Sequence, residues 1–179
     1  MPPHKPCADG PQAPQMECKL KRHTMFSAKT YAARRNMLRT KIGSGIILLP
    51  GNSLSPNNYP NNAYYFRQDS SFRYYFGLNT PSLAGLIDAD TGEEALYGDD
   101  FTVEDIIWTG PQPTLRELGA EVGVTATFPM AELEKRLRKA VSLGRKIHYL
   151  PPYRGETKLQ LSALLGITPD LLHDYKSVE

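Results

Sequence analysis

The sequence predicts an α/β fold, a β-sheet carrying helices on both faces. Three observations support this. Ile46-Ile47-Leu48-Leu49 is a continuous apolar run bounded by Gly45 and the Pro50-Gly51 turn, the pattern of a strand buried on both faces. Leu133, Leu137 and Val141 recur at four-residue steps inside 129–143, the pattern of a helix resting one face on a core. Between them, strand-like and helix-like segments alternate, which builds α/β layers.

In chain order, residues 1–24 hold Pro2, Pro3, Pro6, Pro11 and Pro14 among polar residues. They read as a disordered tail or a remnant of expression, and the domain occupies 25–179. Ser27 is an N-cap, with Phe26 before it and Tyr31 four residues after it placed for a hydrophobic staple. The helix runs to about Thr40, with Tyr31, Leu38 and Ile42 inward and Arg34, Arg35 and Arg39 largely outside, and Gly43 ends it. Residues 52–63 are a loop. Asp69 or Ser70 caps a short helix through Phe72 and Phe76 that stops at Gly77. Leu83–Ala89 and Glu94–Tyr97 are strands joined by the turn Asp90-Thr91-Gly92.

Thr102 with Asp105 forms a capping box for a helix through Ile106, Ile107 and Trp108, broken at Gly110-Pro111. A further short helix covers Pro113–Ala120, and Val124–Phe128 alternates as a half-buried strand. The helix from Pro129 to about Leu143 carries Glu132 facing Arg136 and Glu134 facing Arg138 at i,i+4. A strand Ile147–Leu150 and a helix Lys158–Leu165 complete the pattern.

The 179 residues fit one domain, or one plus a tail, with enough chain for a core without staples. A net charge of +2 argues for neither nucleic acid nor membrane as a partner. Two cysteines, Cys7 and Cys18, make no disulfide framework or zinc spacing. With no apolar run of membrane-spanning length and no signal-peptide core, a cytoplasmic setting is expected. The run Asp88, Asp90, Glu93, Glu94, Asp99, Asp100, Glu104 and Asp105, free of Lys and Arg, reads as solvated turns and a helix start, with a cation site or acidic contact surface as the alternative.

Catalytic signatures are missing. Gly43-Ser44-Gly45 lacks a third glycine and lies between a helix and a strand, the reverse of a dinucleotide fingerprint. Among His4, His23, His148 and His173, His148 sits in an apolar strand and reads as structural. There is no His-x-x-x-His pair and no Gly-x-Ser-x-Gly elbow. The aromatics of Tyr64–Phe76 read as core packing rather than as a base-stacking platform.

One block is specific. Tyr64-Tyr65-Phe66-Arg67-Gln68-Asp69-Ser70-Ser71-Phe72, followed by Tyr74-Tyr75-Phe76-Gly77-Leu78 and Pro81, resembles the Y-x-(F/Y)-R-Q-(N/D)-S-x-F-x-Y-x-(T/F)-G-(F/L)-x-x-P hallmark of the N-terminal domain of Xaa-Pro aminopeptidases (aminopeptidase P). The flanks agree: Arg34-Arg35, the Ser44–Pro50 strand, Ile106-Ile107-Trp108-Thr109-Gly110 and Leu150-Pro151-Pro152-Tyr153-Arg154. The resemblance runs from about Phe26 to the end. It departs at Asn57, Asn58, Asn61 and Asn62, where relatives often carry an acid, and at Pro111, where many carry Arg.

The resemblance implies a mixed sheet of the creatinase/aminopeptidase P N-terminal type and a non-catalytic role in oligomerisation and substrate access. The parent would be a metallopeptidase that releases N-terminal residues preceding proline. Two manganese ions are then expected in a separate pita-bread catalytic domain, held by two Asp, one His and two Glu. No metal ligand, cofactor or catalytic residue is expected in this chain. The expected partners are that C-terminal catalytic domain, further copies in a homo-oligomer and proline-containing peptides. Trp108 corresponds to a residue that lines a neighbouring subunit's substrate pocket. Arg67, Asp69 and Asn61 are structural or interface candidates, with Arg67 expected to pack among the aromatics. The alternatives are a free-standing interaction module and the N-terminal domain of a prolidase or creatinase relative.

Overall fold

The computed structural model describes residues 24–59 and 62–172; the tail through His23, Asn61 and His173 lie outside them. A five-stranded mixed sheet has the order β4-β3-β2-β1-β5. Its strands are β1 (Ile46–Pro50), β2 (Ala84–Asp88), β3 (Glu94–Tyr97), β4 (Ala126–Phe128) and β5 (Ile147–His148). β1, β2 and β3 pair antiparallel, from Ile46↔Asp88 to Pro50↔Ala84 and from Ala84↔Tyr97 to Ile87↔Glu94. β4 and β5 join the two sides in parallel. Helices α1 (Ala28–Ile42), α2 (Ser70–Phe76), α3 (Val103–Thr109), α4 (Leu115–Glu121), α5 (Met130–Ser142) and α6 (Gly155–Leu165) connect them, and a 3-10 turn follows at Pro169–Leu171.

Alternation along β1 divides the core in two. Ile47 and Leu49 join Tyr31, Phe72, Phe76 and Leu118 from α1, α2 and α4, and Val122 just past the end of α4. Ile46 and Leu48 join Leu133, Leu137, Leu161 and Leu164 from α5 and α6. The expected burial of this strand on both faces, and the helices above and below it, are therefore present. The caps are present too. Ser27 accepts from Thr30 N, Phe26 meets Tyr31 edge-on at 6.1 Å, and both Thr102 and Thr114 form capping boxes.

Several expectations need correction. Arg35 is fully buried, and Ile42 is partly exposed. Val141 is exposed while Ala140 faces the core, because helical positions return every 3.6 residues and not every four. Glu134 does pair with Arg138 at 2.7 Å, but Glu132 pairs with Lys135, and Arg136 reaches Glu93 at 2.8 Å. β5 stops at His148, β4 starts at Ala126, and α6 begins at Gly155.

Candidate functional site

α3 is the element with the least attachment to the domain. Thr102 Oγ1 accepts from the Asp105 amide at 3.2 Å, and the Asp105 carboxylate accepts from the Thr102 hydroxyl and amide at 2.7 and 2.9 Å. Those bonds hold the Asp105 carboxyl below its ordinary pKa. Gly110, at φ 78°, ends the helix. No residue of α3 is buried, and Trp108, the only tryptophan, is 83% exposed. Ile107 and Val103 are exposed beside it. This arrangement leaves an apolar surface exposed, and of the two carboxylates in the first turn, Glu104 and Asp105, the second is engaged in the cap.

The expectation of solvated turns and a helix start holds for part of the acidic run: it resolves into caps and ion pairs, and Asp88, in β2, is buried. Asp100 accepts from Leu115 N at 2.6 Å and Asp99 from Met130 N at 3.1 Å, at the starts of α4 and α5. Asp88 is held bidentately by Arg145 at 2.7 and 2.9 Å, and Arg145 also reaches Asp90. Glu93 and Arg136 are bidentate, and Glu94 takes the Arg35 guanidinium at 2.7 Å. Among the described residues no group of three or more His, Cys, Asp or Glu is placed to hold a metal. The donor set of a two-metal centre therefore does not fit them. His148, the one histidine described, has its Nε2 2.9 Å from the Ser44 carbonyl, a positioning bond.

Burial pushes the Asp88 carboxyl pKa up. Arg145 and the amides of Thr91 and Asp90 outweigh that and leave it below its ordinary value. A depressed folded pKa stabilises the fold above the unfolded value, about 3.9, and the contribution is lost as pH falls through the folded value. The denaturation midpoint is expected to drop between pH 5 and pH 2, and less steeply in Asp88→Asn. Parallel profiles for the two proteins would remove Asp88 as a cause.

The aromatic block forms a structural clasp around Gln68. Its Oε1 accepts from Asn52 N at 2.6 Å and from Asp69 N at 2.8 Å, and its Nε2 donates to Thr80 O at 2.7 Å. Three loops are thereby closed onto one buried amide. Asp69 caps α2 by accepting from Ser71 N and Phe72 N at 2.9 Å, and its other oxygen takes the Tyr153 hydroxyl at 3.1 Å. Phe72 and Phe76 stack in the core at 5.3 Å. Arg67 does not pack among these rings. Its side chain is exposed, and among the described residues it forms no ion pair or ring contact; only its carbonyl is used, by Asn52 Nδ2. Gln68, not Arg67, is the buried polar residue of the block; the Asn52 backbone amide meets it while the Asn52 side chain takes the Arg67 carbonyl, a pairing across the loop that no local pattern marks.

Solved structures of similar fold include aminopeptidases. The low-pH form of E. coli aminopeptidase P superimposes with a TM-score of 0.66 at 18% identity, covering 80% of this chain and 33% of that one. Pseudomonas aeruginosa aminopeptidase PepP gives 0.66 at 21% identity, over 79% and 32%. Zinc-substituted E. coli aminopeptidase P with product gives 0.66 at 18%, over 79% and 33%. At these identities the likeness is one of fold, and the chain spans about a third of the length of those proteins. No curated protein sequence matches it significantly. The model of the aminopeptidase P N-terminal domain matches residues 31–149, more than half of the chain. With the five-stranded mixed sheet and the Gln68–Asp69 clasp inside the matched region, the chain belongs to the aminopeptidase P N-terminal domain family.

Proposed function

We propose that this chain acts as the non-catalytic N-terminal domain of a cytoplasmic, manganese-dependent Xaa-Pro aminopeptidase. In this role it mediates oligomerisation and narrows access to a neighbouring subunit's substrate pocket. The observation that carries the reading is Trp108, exposed on a helix that contributes nothing to its own core. A free indole face can pack on a proline ring or a peptide plane, and its N–H can bond a carbonyl. The two manganese ions and their carboxylate and imidazole ligands belong, in this reading, to a C-terminal catalytic domain. The exposed Arg67 guanidinium is available to a carboxylate across the same kind of contact, with Asp69 holding the loop behind it; Asn61, outside the described residues, is kept as an interface candidate in the same reading.

The test is made in the longer enzyme. Trp108→Ala is expected to lower kcat/KM toward Xaa-Pro peptides by about ten-fold, the loss of about 1.4 kcal/mol of contact, with bound metal unchanged. An unaltered kcat/KM would sink the role. This chain alone, given manganese, is expected to turn over no Xaa-Pro peptide; activity that copurifies with it would overturn the assignment as non-catalytic.

A further inference from the structure

We propose that the cleft between α5 and the sheet binds a small organic acid, taking its carboxylate at Lys139 and Tyr97 and its apolar body at Phe128 and Leu143. The cleft has a volume of about 460 Å³, within the range of about 300–1,000 Å³ typical of small-molecule sites. It arises from the way α5 rests on the sheet. Leu133, Leu137 and Ala140 form the stripe that enters the core. Glu132, Arg136, Lys139 and the C-cap Leu143 follow at three- and four-residue steps along the flank of that stripe, and all four line the cleft. The sheet contributes Tyr97 from β3 and Phe128 from β4.

Most of the charge here is already matched. Arg145 holds Asp88, Arg136 holds Glu93 with both terminal nitrogens, and Lys135 holds Glu132 at 2.6 Å. Lys139 is the exception. It is exposed, and it has no ion pair among the described residues. The second free group belongs to Tyr97. That residue is 1% exposed, and its oxygen accepts from Arg136 Nη1 at 3.3 Å, but no described acceptor takes its hydrogen. Burial raises the Tyr97 hydroxyl pKa above its ordinary value, so the group stays a donor. A lone ammonium and a buried hydroxyl hydrogen are partners that a carboxylate can satisfy together. A singly charged acid suits the cleft better than a dianion, because the Asp88 and Glu132 carboxylates share its walls. Beside these donors the fold leaves apolar surface bare. The Phe128 ring stacks on Tyr97 at 5.5 Å and stays 36% exposed, and Leu143 is 66% exposed. A flat or branched apolar body gains contact there without displacing an ion pair. Trp108 takes no part in this site.

Titration of this chain with benzoate, followed by amide NMR, tests the site. Benzoate is expected to shift the Tyr97 and Phe128 amides and those of residues 135–143 saturably, with a Kd on the order of 1 mM. Lys139→Gln and Tyr97→Phe are each expected to weaken binding by about ten-fold, the loss of one hydrogen bond to a charged group. Lys139 is exposed and phenylalanine keeps the buried ring, so both variants retain the fold; an unchanged amide spectrum away from the cleft checks this. Acetate lacks the apolar body and benzyl alcohol lacks the charge, and each is expected to bind at least about ten-fold more weakly than benzoate. Shifts that fail to saturate by about 20 mM, or an affinity unchanged in either variant, would overturn the site. Acetate or benzyl alcohol binding as tightly as benzoate would overturn an organic acid as its ligand.

Discussion

Replacing Arg35 by methionine is expected to destabilise the domain by about 3–5 kcal/mol, the cost of removing one partner from a buried charge pair. Its guanidinium is fully buried and donates in three directions: to Glu94 Oε2 at 2.7 Å, to Tyr75 O at 3.0 Å and to Val122 O at 3.0 Å. The two carbonyls lie at the C-terminal ends of α2 and α4, where backbone acceptors lack helical partners and the dipole favours a cation. One side chain thus caps two helices and pins both to α1, while stacking 5.2 Å from the Phe76 ring. Methionine fills comparable volume, so the loss reports the unpaired carboxylate and carbonyls rather than a cavity. Adding Glu94→Gln to Arg35→Met is expected to recover part of the loss, since the charge of the half-buried carboxylate is gone, but not all, because both carbonyls stay unpaired. Urea unfolding of the two variants decides it; a single variant within about 1 kcal/mol of the parent would show that Arg35 is a spectator.

Arg35 also marks how far the sequence was legible. Tyr31, Arg35 and Leu38 fall at i, i+4 and i+7, on one helical face, so the position was readable as inward. The residue type argued the other way, because arginine is seldom fully buried without partners. Those partners lie 40 to 87 residues away along the chain, beyond any local pattern. The same distance hid the Glu93–Arg136 pair, 43 residues apart, behind a plausible i,i+4 partner. What was legible is what local chemistry decides. The Ser27, Asp69, Thr102 and Gly77 caps were readable, as was the doubly buried β1. The turn between β2 and β3 was readable from Asp90-Thr91-Gly92.

The candidate site was legible as residues and not as a surface. Trp108 stood out by type and by its place at a helix end before Gly110-Pro111. Only the fold shows that Ile107 and Trp108 are both exposed while Ile106 is partly covered. In the aromatic block the reverse happened. Arg67 drew attention as a charge among rings, while the buried polar role belongs to Gln68, whose amide can both accept and donate where a guanidinium can only donate.

Gly77→Ala is expected to cost about 2–4 kcal/mol, adding a left-handed backbone penalty of about 1 kcal/mol to a core overlap of about 1–3 kcal/mol. Gly77 caps α2 at φ 72°, its amide donating to Arg73 O. A β carbon there would lie 2.2 Å from Tyr31 Cζ and 2.6 Å from its hydroxyl oxygen. The ring cannot retreat easily. Tyr31 is buried, its hydroxyl accepts from Phe26 N at 3.3 Å, and α1 is tied to the end of α2 by Arg34 on Tyr74 O and Arg35 on Tyr75 O. Gly166→Ala separates the two contributions, for Gly166, the left-handed cap of α6 at φ 68°, has nothing within 4 Å, so only the backbone penalty applies. A Tyr31→Ala background should make Gly77→Ala cheaper, because the overlap then disappears, and this coupling is measurable as a double-mutant cycle. If Gly77→Ala and Gly166→Ala lower the unfolding free energy equally, the close approach of Tyr31 to Gly77 contributes nothing, and the glycine in the family's aromatic block is there for its backbone alone.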